Sequence, residues 1–326
     1  MLRKLFLTMM TSVFFVSIQN CTNQQSIVQL IRLPDNVKIT IDSPKINPRL
    51  GTLLIFYALP NGNSTAWTYG KQLEDGDDWH FNIQHIGAQT KFLRKAIRDR
   101  NVVVVYLEND LKSWPAWRRQ YPNNSEIIHS IVDSVVARFP SGNLKIALNS
   151  HSGGGSFIFG YLNGVEKIPD IIERISFIDS DYGYEDSLHH GEKLIRWLQE
   201  SDKRYLTVYA YNDSIALYHG KPFVSATGGT WYRSKMMLKT LAKSFDFQID
   251  DRDSLIWYNA LNHRIQFILK RNPDRGIYHT EQVEKNGFIN SILSGTPLEG
   301  QGYTYFGPRV YEQYIKKSEI LYDEIL

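Results

Sequence analysis

Apolar and polar positions along this chain fall into two kinds of block. Short runs rich in β-branched and aromatic residues read as strands: Ser26 to Leu33, Val37 to Ile41, Thr52 to Leu59, Val102 to Leu107, Lys145 to Leu148, Ile175 to Ile178, Tyr205 to Tyr211 and Ile265 to Leu269. Longer stretches with apolar residues at helical intervals separate many of them: Thr90 to Asp99, Glu126 to Phe139 with Ser125 as the expected N-cap, Gly191 to Glu200, Ser234 to Ser244 and Gln282 to Leu293. Val102 to Leu107, four valines followed by Tyr and Leu, has the composition of a strand covered on both faces. The alternation predicts an α/β protein with a mostly parallel, doubly wound sheet and helices on both faces. No repeat or low-complexity tract interrupts it, so residues 21–326 are expected to form a single domain.

Sheets of this kind bind ligands beyond the carboxyl ends of their strands. The polar residues at those ends are Asn61, Gly62 and Asn63, Glu108 to Asp110, Ser152, Asp179 and Asp181, Asp213 and His279. The densest signal is Leu148-Asn149-Ser150-His151-Ser152-Gly153-Gly154-Gly155, which follows one short apolar run and precedes another. The order strand, sharp turn, helix sets Ser152 at the tip of a turn too tight for large flanking side chains. Ser150 and Gly154 hold the two small positions. Such a turn pushes a hydroxyl out above the sheet and aims the free N–H groups of the next helix at the same spot. Ser150 lies on the strand side, and His151 is expected to point away from Ser152 and to be structural.

A serine on such an elbow, then an acid, then a histidine, each after a successive strand, resembles the α/β-hydrolase superfamily over roughly residues 26 to 300. The resemblance implies a Ser-His-Asp triad that cleaves an acyl bond through an acyl-enzyme, a carboxylic ester being the expected substrate. Ser152 would be the nucleophile and His279, after the last strand, the general base. His263 precedes that strand, at the wrong end of the sheet. Asp213, ending the Tyr205–Tyr211 strand, occupies the acid position most common in the superfamily, with Asp179 and Asp181, ending the strand before, as alternatives. Gly153 N–H would be one oxyanion donor. The second would come from Asn61 or Gly62, although the His-Gly pair common in the superfamily is absent there.

Composition and charge narrow the remaining options. An apolar share of 42% and a charged share of 22% fit a chain that buries a sizeable core, which disfavours wholesale disorder. A net charge of +3, with no long basic run, gives no support to a nucleic-acid partner. Arg3 and Lys4 followed by the mostly apolar stretch Leu5 to Ile18 read as a signal peptide over residues 1–20. The only cysteine, Cys21, comes next. The expectation is an exported protein, either secreted or a bacterial envelope lipoprotein attached to the membrane through acylated Cys21. The expected partner is a small-molecule or glycan acyl ester.

No cofactor or metal is expected. The three glycines lack a following Gly-Lys-Ser/Thr, His80 and His85 are poorly spaced for a metal, and Asp250, Asp251 and Asp253 read as a solvated turn, not a calcium loop. Asp78 to Gly87 and Gly228 to Trp231 are candidates for the rim of a cleft or for plain loops. Two other readings share the fold: a catalytically silent binding protein of the envelope, and a serine peptidase or acyltransferase.

Overall fold

In Gly51–Ala58 every residue is buried, and alternate side chains feed two different cores. Leu54, Phe56 and Ala58 join one apolar cluster, while Leu53, Ile55 and Tyr57 join the other. A period-two split of a wholly apolar strand is what a sheet covered on both faces requires. A computed structural model of the chain describes residues 14–17 and 26–317. Its strands are β1 (Phe14–Ser17), β2 (Ser26–Leu33), β3 (Val37–Pro44), β4 (Gly51–Ala58), β5 (Arg100–Asn109), β6 (Leu144–His151), β7 (Ile172–Ile178), β8 (Tyr205–Tyr211), β9 (Leu217–Tyr218), β10 (Lys221–Pro222), β11 (Gln248–Arg252), β12 (Leu255–Ala260) and β13 (Ile265–Lys270). The α-helices are α1 (Thr65–Tyr69), α2 (Ile86–Ala96), α3 (Trp114–Gln120), α4 (Asn124–Val136), α5 (Gly155–Asn163), α6 (His190–Gln199), α7 (Thr230–Leu241), α8 (Glu281–Glu284) and α9 (Gly287–Leu293).

The main sheet runs in the order β1-β2-β3-β5-β4-β6-β7-β8-β13-β12-β11. Its centre, β5-β4-β6-β7-β8-β13, is parallel throughout, and both edges are antiparallel. Trp114, Trp117, Ile128, Phe157, Trp197 and Met237, from α3 to α7, fill the core on one face. Ala66, Ile86, Leu93, Phe288 and Ile292, from α1, α2 and α9, fill the other. The chain runs from β4 outward to β5, then back past β4 to β6. That reversal makes a topological switch point at the carboxyl ends of β4 and β6, where a doubly wound sheet opens a crevice.

Several expectations need amendment. Helix α4 starts one residue before Ser125, and its N-cap is Asn123, whose side chain makes no capping bond. Asp250 and Asp251 lie within β11, and only Asp253, at φ 51°, is in the turn to β12. The expected last helix is two, α8 and α9, because Asn286 adopts a left-handed backbone between them (φ 64°). Cys21 lies outside the described residues. So do residues 1–20, expected to be a signal peptide, except for Phe14–Ser17, which pair antiparallel with β2.

Candidate active site

The loops after β4 and β6 meet at the switch point. Strand β6 ends at His151, and Ser152 follows with φ 54°, a left-handed conformation that costs a non-glycine residue energy and clusters at functional sites. A single 3-10 turn, Ser152–Gly154, then leads into α5. The glycines are required by the protein's own backbone: a methyl at Gly153 would fall 2.0 Å from Asn61 Oδ1, and one at Gly154 would fall 2.1 Å from the Ala58 carbonyl. Asn61 is thereby seated against the turn that carries Ser152. Ser150 is fully buried within β6, its Oγ 2.7 Å from Ser180 Oγ.

Asn61 and Gly62 are the middle residues of a turn closed by Asn63 N–H to the Pro60 carbonyl at 3.3 Å, with Gly62 at φ 77°. Glycine is the residue that third turn position favours. The Gly62 N–H donates to the Lys112 carbonyl at 2.7 Å. Its donor is therefore engaged, and of the two expected backbone donors only Asn61 remains a candidate.

His279 lies on the loop between β13 and α8, and the carboxylate that faces it is Asp179, not Asp213: His279 Nδ1 and Asp179 Oδ2 are 2.5 Å apart. Asp179 immediately follows β7, is fully buried and has φ 45°, a conformation aspartate tolerates better than most residues. Its second oxygen accepts a short hydrogen bond from Thr230 Oγ1. Asp213 is occupied elsewhere. Helix α7 has Gly229 at its N-cap and so no side chain of its own to cap it; the Asp213 carboxylate accepts the Thr230 N–H at 2.8 Å instead. Asp181 is likewise engaged, accepting from Ser234 Oγ at 2.8 Å.

Thr230 is the participant that the sequence pattern did not single out. Thr230 lies between two buried carboxylates, bonded to Asp179 and with its Oγ1 3.4 Å from Asp213 Oδ2. His151, expected to be structural, packs on the loop that carries His279. Its ring stacks on His279 at 4.7 Å, and its Nε2–H donates to the His279 carbonyl at 3.1 Å. Burial, and secondarily the neighbouring His279, push its pKa well below the usual histidine value, so it is a neutral support for the loop. His263 lies in the β12–β13 turn, at the opposite end of β13 from His279.

Burial, and then the charge of Asp179, raise the Asp213 carboxyl to about 6. The native state therefore retains this proton to a higher pH than the unfolded chain, whose aspartates titrate near about 4. Between those values the folded state binds more protons, so stability falls as pH rises, by about 3 kcal/mol in all. Asp213→Asn keeps an acceptor for the Thr230 N–H and removes that penalty. Urea unfolding should show the variant matching the parent near about pH 4 and exceeding it by about 2 kcal/mol near about pH 8. A difference independent of pH would contradict this account.

The strand order, the helices on both faces and the tight turn after β6 make this a mostly parallel, doubly wound α/β fold. No family model matches the chain, and no curated protein matches it. Among solved structures, the chain is similar to a glucuronoyl esterase from Solibacter usitatus (10% identity, 88% of each chain covered, TM-score 0.40). It is also similar to an S-formylglutathione hydrolase from Agrobacterium tumefaciens (12% identity, 79% of this chain and 90% of that one, TM-score 0.40). A CIB-like hydrolase from Thermoplasma acidophilum shares 8% identity over 86% of this chain and 94% of its own, with a TM-score of 0.38.

Proposed function

We propose that this protein is a serine hydrolase that cleaves an acyl bond, a carboxylic ester first, through a covalent acyl-enzyme. The observation that carries the reading is the buried Asp179 carboxylate on His279 Nδ1, on a loop stacked against the residue next to Ser152. With Nδ1 held by Asp179, Nε2 is the nitrogen that takes the Ser152 proton as Oγ attacks the substrate carbonyl. The oxyanion that forms is met by Gly153 N–H at the start of the helical segment and by the Asn61 side of the β4 turn. His279 then passes the proton to the leaving alcohol, and water releases the acid by the same route in reverse. Asp179 replaces Asp213 in this reading because Asp213 already caps α7. Export is part of the proposal and rests on the basic, then apolar, first eighteen residues.

The test is a fluorophosphonate probe on the folded protein, with the adduct mapped by peptide mass spectrometry. Modification of Ser152 is expected. A folded protein that takes no label, or takes it on another serine, would instead fit a silent binding protein on this fold.

A further inference from the structure

The segment between α1 and α2 carries the most exposed tryptophan of the described residues. Trp79 is 62% exposed, yet its ring is not loose. It stacks on His80 with centroids 4.0 Å apart, and His80 stacks in turn on Trp67 at 4.4 Å, nearly parallel. Two indoles that close to one imidazole occupy its opposite faces, so the three rings form a pile with the outer face of Trp79 toward solvent. The pile is pinned from below and from the side. Lys112 Nζ lies 5.3 Å from the Trp67 ring centre, and Asp78 Oδ1 accepts the His80 N–H at 2.9 Å and contacts its Nδ1 at 2.5 Å. The loop is closed by Lys71 to Asp77 at 2.7 Å and by the Glu74 N–H to Asp77 at 2.8 Å.

This pile is linked to the candidate active site by a short series of contacts. Lys112, whose ammonium faces Trp67, also accepts the Gly62 N–H through its carbonyl, and the neighbouring Asn61 packs on Gly153. The platform therefore stands beside the oxyanion turn, at the end of the parallel strands where Ser152 lies. Single exposed apolar side chains are ordinary; what distinguishes Trp79 is that its ring is held in place before any ligand arrives, which lowers the ordering cost of binding a flat ligand face.

Its surroundings select the ligand. Glu74, Asp75, Asp77 and Asp78 fall within five residues, and all but Asp77 are exposed. Asp77 is paired with Lys71 and Glu74 lies 3.8 Å from Lys317, yet the tip keeps a net negative charge that disfavours an anionic membrane surface. The tip suits a neutral polyhydroxylated ring: its axial C–H bonds pack flat on the electron-rich indole face, and its hydroxyls donate to the carboxylates around the edge. The geometry points to Trp79, backed by His80 and Trp67, as a subsite for a pyranose ring, which makes the substrate a sugar ester. The substrate assignment rests on the hydrolase reading; the sugar site does not.

Calorimetric titration of the full chain with xylohexaose, cellohexaose and chitohexaose separates the two. Binding of at least one is expected, weakened at least about tenfold by Trp79→Ala, partly retained in Trp79→Phe and unchanged by Ile249→Ala, an exposed apolar control on β11. Absence of binding by all three, or binding indifferent to Trp79→Ala in a variant that melts with the parent, overturns the subsite. So does Trp79-dependent binding to phosphatidylcholine vesicles without sugar binding. Sugar binding by a protein that takes no fluorophosphonate label would retain the subsite and remove the hydrolase.

Discussion

Ser152→Ala is expected to lower kcat on an activated ester such as p-nitrophenyl acetate by about 10⁴–10⁶, leaving only the residual rate that binding and oxyanion contacts provide. The magnitude follows from the loss of the covalent route: without Oγ, His279 has no hydroxyl proton to take and Asp179 no imidazolium to stabilise. Folding should be unaffected. The strained position at φ 54° admits alanine about as well as serine, and the side chain is only partly buried. Melting within a few degrees of the parent would show that the loss is chemical. The companion variant is Ser150→Ala. Ser150 is sealed inside β6 against Ser180, so its removal should cost stability of about 1 kcal/mol and little activity. If Ser150→Ala and not Ser152→Ala silenced the enzyme, the assignment of the elbow would be wrong.

The order of elements was legible because it rests on local pattern. Runs such as Val102 to Leu107, short and rich in β-branched residues, match doubly covered strands, and β8 begins and ends where its composition indicates. The turn at Ser152 was legible because three glycines between a strand and a helix demand a reason, and the reason is close approach to Asn61 and Ala58. The misreadings at the site share a cause: each depended on a partner remote in sequence. Whether Asp213 or Asp179 faces His279 was decided by residue 229, a glycine that leaves α7 without its own cap and draws in Asp213. Whether Gly62 can donate was decided by Lys112. Strand β11, Gln-Ile-Asp-Asp-Arg, is polar enough to read as a turn. It is held at the sheet edge by a hairpin with β12 and by the ion pair of Asp251 with Arg271, a partner on the far side of β13 that local pattern does not encode.

The two aspartates make the sharpest comparison. Asp179→Asn is expected to reduce kcat/KM by about 10³–10⁴, because an amide facing Nδ1 favours the wrong tautomer and cannot stabilise the imidazolium that forms as Ser152 loses its proton. The substitution is nearly isosteric, and Asn Oδ1 can still accept from Thr230 Oγ1, so the fold should hold. Asp213→Asn should cost less than about tenfold, since its carboxylate caps α7 and reaches Asp179 only through Thr230. Thr230→Val separates contact from charge. It removes the hydroxyl between the two carboxylates while leaving both, and should lower kcat with little change in KM, whereas Thr230→Ser should restore much of the loss. A reversed order, with Asp213→Asn the more damaging, would mean that the carboxylates exchange roles when substrate binds. His279 would then have to leave its 2.5 Å contact with Asp179 during turnover. The double variant decides between these readings: if Asp179 alone serves His279, adding Asp213→Asn to Asp179→Asn should cost almost nothing further, whereas a reserve role for Asp213 would appear as an additional loss of about tenfold or more.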